Sequence, residues 1–589
     1  MPTKPEFQIG LVMAGAISAG AYTAGVMDFF VEALDAYYAA RSSPDWTGPT
    51  HDVRIPVMAG SSAGGMTAAI AALHAFHDLV AAQPAAAPPP KPANRLYSSW
   101  VTDISIERLL ETTDLDDPTA HVRSLLCSDV LLRIVQDAFD LQGAPRQRDW
   151  IGCGADRSLR VMLTATNMRG VPYSFPVFGS GRKDLYGTLN HGDYLDFSIG
   201  MPGRPADGVH ALDIRDTSTP EWSLFKTAAL ATGAFPFGLA PRRIDRAPTD
   251  YRYAQLVGFD DPASRCFKTI GPDAAVLEEA SYPFVAVDGG TINNEPLEIA
   301  RRHLANQGRN DQDGKSALRA VVLVAPFPNF VHLPEKDDND SLIHVGPRLL
   351  STLIAQARFK PDELAKAADD KIFSRFMISP IRPSAGNRDA EKYPIASGVL
   401  DGFGGFLHES FRRHDYLLGR RNAQAFLRWS FALPDTNPLF AEYHASAAWE
   451  RRDAWHVRDV VRATHSVLRS EEKDYNKKQY AEAVNGPEDK DGLPIIPLTD
   501  AMTRPIDIKD GDLPKPLGAR RDAIEKLIDT RTSTVVGRMI DLDLLPLTDG
   551  MFLGGALRWA AHRYASELAS RKAKSIVRSA LESVGKAFP

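Results

Sequence analysis

The sequence predicts an α/β protein built on a parallel sheet. Two successive strand–turn–helix units near the N-terminus carry that prediction. Phe7–Ala14 (FQIGLVMA) reads as a buried strand, and a glycine-rich turn leads from it to Tyr22–Ala40. Val53–Gly60 (VRIPVMAG) is a second apolar strand, followed directly by a helix-like run from Ala63 to Phe76. The order strand, helix, strand, helix is that of a parallel sheet with right-handed crossovers.

The remaining elements follow from period and punctuation. Tyr22–Ala40 places Val26, Phe29, Phe30 and Leu34 at helical spacing. Val80–Ala93 is rich in proline and alanine and reads as a surface loop. Val122–Leu141 has a helical pattern, and Leu159–Met168 is a strong strand. Glu221–Pro241 predicts a helix that stops at Gly233 and runs into an extended segment. Tyr282–Gly290 and Ala317–Pro328 are further strands, the first ending in a tight turn. Beyond about residue 340 the pattern turns helical, with one long helix over Gly405–Phe431. Lys, Asp, Pro and Gly dominate 471–516, which predicts loop. The tail, 553–584, reads as a basic amphipathic helix or a pair of them. The expected division is therefore a catalytic α/β domain over 1–330, a helical segment over 331–432 packed on it, and a mainly helical region over 433–589. No internal repeat is present.

Composition bounds the function. Hydrophobic residues make up 44% and charged residues 24% of the 589, both ordinary for a globular protein. The net charge of −6 gives no general argument for nucleic acid. Cys127, Cys153 and Cys266 lie far apart and form no C-x-x-C, so a disulfide framework or structural zinc site is not predicted and a cytoplasmic chain fits. The uncharged stretch GLVMAGAISAGAYTAGVM, Gly10–Met27, raises the question of a signal peptide or membrane helix. Its glycines, at positions 10, 15, 20 and 25, interrupt any apolar core and fall on different faces of a helix. Lys4 is offset by Glu6. Neither a signal peptide nor a transmembrane helix is expected.

The chemistry-bearing signal is GSSAG, Gly60–Gly64, placed between a strand and a helix. That context suits a G-x-S-x-G nucleophile elbow. Gly60 and Gly64 flank Ser62 at minus two and plus two, where side chains would block the approach of strand and helix; Ser61 is out of register. Ser62 would stand at the carboxyl edge of the sheet in a strained conformation. The turn around Gly15–Gly20, one strand earlier, would aim backbone N–H groups at that edge, as an oxyanion hole requires. The base has two readings. A Ser–acid–His order leaves His332, His408 and His414, none in a telling context. Asp288, in VDGGTINNEP, closes a strand and is followed by Gly289 and Gly290, which allow a tight turn. Partial burial would make it a workable base.

Together, LVMAGAISAGAYTAGV, GSSAG and DGGTINNEP resemble the patatin-like phospholipases over roughly residues 7–330. ATGAFPFGLAP, Asn294 and Pro296 also match that pattern. The resemblance implies a three-layer α/β/α sandwich and hydrolysis of lipid acyl esters, with Ser62 as nucleophile, Asp288 as base and the Gly15, Ala16 and Ile17 N–H groups as oxyanion hole. It implies no metal or cofactor. The alternatives are an esterase or thioesterase on a soluble acyl substrate, and a catalytically inactive protein that binds lipid or a partner. One departure stands out. The family's loop carries consecutive glycines and an arginine; here Ala16, Ile17 and Ala19 occupy those positions. A left-handed backbone is costly for such residues. Two inserts, Val80–Ala93 and Arg242–Ser281, are expected to form a lid or reshape the acyl pocket. The basic tail, with Arg558, Arg563, Arg571, Lys572, Lys574 and Arg578, suggests either a peripheral membrane contact or a helix packed on the catalytic domain with a solvated face.

Overall fold

A computed structural model of the chain describes residues 4–140, 143–176, 185–206, 208–252, 256–261, 266–305, 310–327, 374–382, 394–456, 492–515, 520–544 and 555–587, with a few isolated positions between them. Its centre is a nine-stranded sheet. In chain order the strands are β1 (Glu6–Met13), β2 (Asp52–Gly60), β3 (Leu159–Pro176), β4 (Leu185–Gly200), β5 (His210–Asp213), β6 (Arg242–Arg246), β7 (Tyr282–Asp288), β8 (Arg319–Val324) and β9 (Arg375–Ile378). The principal helices are α1 (Gly20–Ala40), α2 (Ala63–His74), α3 (Asp129–Phe139), α4 (Pro220–Thr232), α5 (Leu297–Ala305), α6 (Glu409–Trp429), α7 (Arg520–Arg538) and α8 (Gly555–Ala587).

The sheet runs β9–β8–β1–β2–β3–β4–β5. Its ladders are parallel from β9 through β3 and again between β4 and β5, and antiparallel between β3 and β4. Alternate side chains of the central strands enter two separate cores. Leu11, Met13, Met58, Val322 and Val324 pack with α1 and α2. Val12, Val57, Ala59, Val321 and Leu323 pack with Leu297, Ala300 and Leu304 of α5. Helices therefore cover both faces, which is the α/β sandwich that the sequence predicts.

The early elements fall where the periodicity places them. Three others differ. The helix expected over Val122–Leu141 begins only at Asp129. The residues before it bond elsewhere: the Leu125 and Leu126 N–H groups donate to the carbonyls of Phe237 and Gly238. Those carbonyls belong to a turn after α4, where an extended segment was expected. β7 runs antiparallel to β3. A hydrophobic run carries a period but no direction.

The boundary expected at residue 330 does not divide the core, because β9 continues the sheet beside β8. Nor is all of 471–516 loop. Gly492–Pro494 pairs with Ala432–Pro434, and Leu493, Ile495 and Ile496 are fully buried; residues 457–491 lie outside the described ones. α6 crosses α1 with backbones touching. A Cβ on Gly25 would sit 1.9 Å from the Tyr416 carbonyl oxygen, and one on Gly419 2.1 Å from that of Tyr22. Beside this crossing the buried Arg420 pairs with Asp28 at 2.5 Å. Removing either partner would strand a buried charge, at a cost of about 3–5 kcal/mol. α8 is a single helix laid along α7, with Lys574 paired to Asp529 and Arg578 to Glu525. Among the described residues no helix is long and apolar enough to cross a membrane.

Candidate active site

Ser62 stands between β2 and α2 with φ +53° and ψ −132°. A serine in that region is strained, and the strain is fixed from both sides. A Cβ on Gly64 would lie 2.2 Å from the Met13 carbonyl oxygen, and one on Gly60 would lie 2.6 Å from Gly65 Cα. Both contacts are with backbone, so helix, elbow and strand can close up only with glycine at both positions. The Ser62 N–H donates to Thr232 Oγ1 at 3.0 Å, which ties the elbow to the end of α4. Ser61 points elsewhere, accepting a hydrogen bond from Thr164 Oγ1 at 2.8 Å.

Ser62 Oγ donates to Asp288 Oδ2 at 2.5 Å. Both residues are buried, with 5% and 1% exposure. The other carboxylate oxygen of Asp288 accepts the Gly290 N–H at 2.6 Å, which holds the carboxylate plane. The Asp288 N–H donates to the Ala234 carbonyl and its own carbonyl accepts from Thr166 Oγ1, both at 2.9 Å. Gly289 follows with no room for a side chain: a Cβ there would lie 2.1 Å from Thr164 Oγ1.

Sheet register explains how residues 226 positions apart meet. β2 ends against β3 with Gly60 opposite Leu163. β7 comes in along β3 from the opposite direction and ends with Asp288 opposite Ala165. Two strands thus meet nearly tip to tip beside β3, one delivering the hydroxyl and the other the carboxylate. The sequence places Asp288 at the right edge, but it approaches that edge from beyond it.

The histidines are occupied otherwise. His408 caps α6, its side chain accepting the Ser410 N–H, and His414 contacts Asp415 at 2.8 Å. His332 lies outside the described residues.

The turn after β1 is close to Ser62 but differs from expectation at Gly15. Its N–H donates to the Asn294 carbonyl at 3.1 Å, so it is not an oxyanion donor. What Gly15 supplies is space: a Cβ would come within 2.9 Å of Ser62 Cβ and 2.3 Å of Asn294 Oδ1. Ala16 and Ile17 open the helical run that becomes α1, where no preceding intrahelical carbonyl receives their N–H groups. Ile17 has φ +49°. The left-handed conformation that a glycine would take freely is present here on a β-branched residue. Ser18 pins this turn to a distant segment: its Oγ donates to the Gly402 carbonyl and accepts the Gly405 N–H.

A cavity of about 40 Å³ adjoins Ser62. Apart from that serine its walls are apolar: Ile17, Ala63 and Met66 near the two turns, Trp100, Ile104 and Leu109, then Leu126 and Leu131, Phe235 and Leu239, and Phe403 and Phe406. Trp100 comes from a single π-helical turn, Ser98–Asp103, and lies over Gly20, where a Cβ would meet its ring at 2.3 Å. Among the described residues, neither Val80–Ala93 nor Arg242–Ser281 contributes to these walls. The first instead bonds to Asp28 and Asp512, and the β6 part of the second pairs with β7. Thr232, Thr166, Trp100 and Phe403 have no motif to mark them; only the fold brings them here.

No protein-family model matches the chain. It is 37% identical over 492 residues to Uncharacterized protein y4iI of Sinorhizobium fredii (strain NBRC 101917 / NGR234), covering 77% of this chain and 68% of that protein. The chain belongs to one family with that protein. Among solved structures, VipD from Legionella pneumophila aligns over 99% of this chain and 92% of its own at 11% identity, with a TM-score of 0.20. A similarity that low carries no argument about fold or chemistry.

Proposed function

We propose that the protein is a patatin-like serine acyl hydrolase that cleaves lipid esters, phospholipid or lysophospholipid, through a Ser–Asp dyad. The observation that carries the reading is the 2.5 Å hydrogen bond from Ser62 to Asp288, at a strained elbow beside an apolar cavity. Asp288 takes the Ser62 proton as Oγ attacks the ester carbonyl. The carbonyl oxygen becomes an oxyanion, for which the Ala16 and Ile17 N–H groups and the N-terminus of α2 are the candidate donors. Collapse expels the alcohol, which leaves with the proton held by Asp288. Water then attacks the acyl-serine with Asp288 again as base, releasing the acid and restoring Ser62. Every step uses the chain's own groups and water. The apolar walls suit an acyl chain.

A second reading, an esterase or thioesterase on a soluble acyl substrate, is favoured by the narrowness of the cavity. A catalytically inactive protein is the third, favoured by Ile17 in the turn. Fluorophosphonate labelling separates the third from the others: labelling lost in Ser62→Ala supports the enzyme, and an unlabelled folded protein overturns it. An acyl-length series on unreacted protein, from a preparation shown to label, then separates lipid from soluble ester.

A further inference from the structure

The walls of the cavity continue outward into an amphipathic rim. Leu126, Phe235 and Leu239 line the cavity with Ser62. Their chain neighbours Leu125 and Phe237 are 52% and 69% exposed, and Phe237 is the most exposed large apolar side chain among the described residues. Phe237 has φ +64°, a conformation that disfavours an aromatic residue and that glycine adopts freely. The two segments are cross-bonded: the Leu125 N–H donates to the Phe237 carbonyl at 2.8 Å and the Leu126 N–H to that of Gly238 at 3.1 Å. Arg531, itself buried, holds the Leu125 carbonyl from α7 at 2.9 Å. The exposed pair therefore rides on a braced base.

Positive charge sits on the same two segments. Arg123 is exposed and donates to the Pro241 carbonyl at 2.8 Å. Arg242 is next in the chain, and burial, then the charge of Arg123, lower its pKa. Asp129 faces this pair from the start of α3 and partly offsets it. The tail differs: two of its cations, Lys574 and Arg578, are matched by carboxylates of α7.

We infer that the rim formed by Phe237, Leu125, Arg123 and Arg242 docks on an anionic phospholipid surface. The two apolar side chains enter the acyl region while the guanidinium groups meet headgroup phosphates. This sets the apolar wall of the cavity directly behind the inserted residues, where an acyl chain leaving the layer would pass. The choice of a lipid surface rests on the acyl-hydrolase reading.

The test uses full-length Ser62→Ala protein, so that binding is measured without turnover. It is sedimented with phosphatidylcholine vesicles with and without phosphatidylglycerol. Binding should need phosphatidylglycerol and weaken by about tenfold or more in Phe237→Gly combined with Leu125→Ser. Phe237→Gly alone should keep the parent's thermal midpoint, because glycine fits φ +64°, so weaker binding by that variant cannot be assigned to misfolding. Equal binding by the parent and the double variant overturns the inference, as does a parent that ignores both vesicles. Loss in Arg571→Gln with Lys572→Gln and not in the rim variants also overturns it, and moves the contact to α8. Hydrolysis of a soluble p-nitrophenyl ester by the unmutated protein is scored separately, so failure of the enzyme reading and failure of the docking surface give different results.

Discussion

β1 and β2 are neighbours in the sheet, run in the same direction and each turn into a helix at the same edge. Each turn holds one residue other than glycine at positive φ, Ile17 at +49° and Ser62 at +53°. Their surroundings differ. At the second turn the glycines flank the strained residue and meet backbone, so the elbow has no freedom to relax. At the first, Gly15 meets side chains, Asn294 and Ser62, and the strained residue carries a bulky group into the cavity wall. The comparison teaches that the two strains serve different ends. One aims an atom, and the other places a wall.

The largest effect should come from the aimed atom. Ser62→Ala and Asp288→Asn should each lower ester turnover by about a thousandfold or more, with little change in the unfolding midpoint. Steady-state assays with a soluble p-nitrophenyl ester check the first part and urea melts the second. Turnover that survives Ser62→Ala would leave the elbow without a purpose and break the comparison.

Next is the contrast between glycines. Gly64→Ala places a methyl against the Met13 backbone and should cost about 3–4 kcal/mol. Gly15→Ala meets the Asn294 amide, which can swing aside, and Ser62 Cβ at 2.9 Å, which can yield only by a small shift, and should cost about 2 kcal/mol. Urea unfolding of both measures the difference. Equal costs would show that the first turn is as tightly locked as the second.

A pH effect should follow from the helix behind Ser62. His74 closes α2, accepts the Arg95 N–H at 2.9 Å and is held by burial at a pKa of about 3. The unfolded chain takes up that proton from about pH 6.5 downward and the folded chain does not, so stability falls as pH drops from 6.5 toward 3. At pH 5 the loss is about 2 kcal/mol. His51 and His303, each lowered to about 4 by burial, act in the same direction. Thermal midpoints recorded from pH 7 to 4.5 should decline, and His74→Gln should flatten part of that slope.

The smallest effect is expected at Ile17. Ile17→Gly relieves a left-handed β-branched residue, worth about 1 kcal/mol, and removes buried apolar contact of similar size. Net stability should move by less than about 1 kcal/mol. The acyl-length profile should shift toward bulkier chains, since one wall of the cavity is removed. An unchanged profile would mean that Ile17 is only strain.

Much of this was legible because it is local. The first two strand–helix units, the glycines around Ser62 and the turn after Asp288 each rest on a few adjacent residues whose backbone demands are specific. What escaped is non-local. Nothing in YPFVAVD states that its strand runs against β3, and nothing near Gly15 states that its N–H is taken by Asn294. The cavity walls come from segments as distant as Trp100 and Phe403, which no motif in the sequence connects. The departure at Ala16 and Ile17 was visible as composition. Its outcome, isoleucine itself adopting the left-handed turn, needed the coordinates.

The hold that Gly402 and Gly405 keep on Ser18 has a consequence in time. A ribosome delivers the turn at Ile17 first and its anchor nearly 400 residues later. At roughly 5–20 residues per second, tens of seconds separate the two. Through that interval the growing chain already has Ser62 but not the brace on the neighbouring turn, and for most of it the segment carrying Asp288 is also missing. The finished geometry of the first turn is thus a product of completed synthesis, and a nascent or prematurely ended chain would hold Ile17 and Ser18 without their brace.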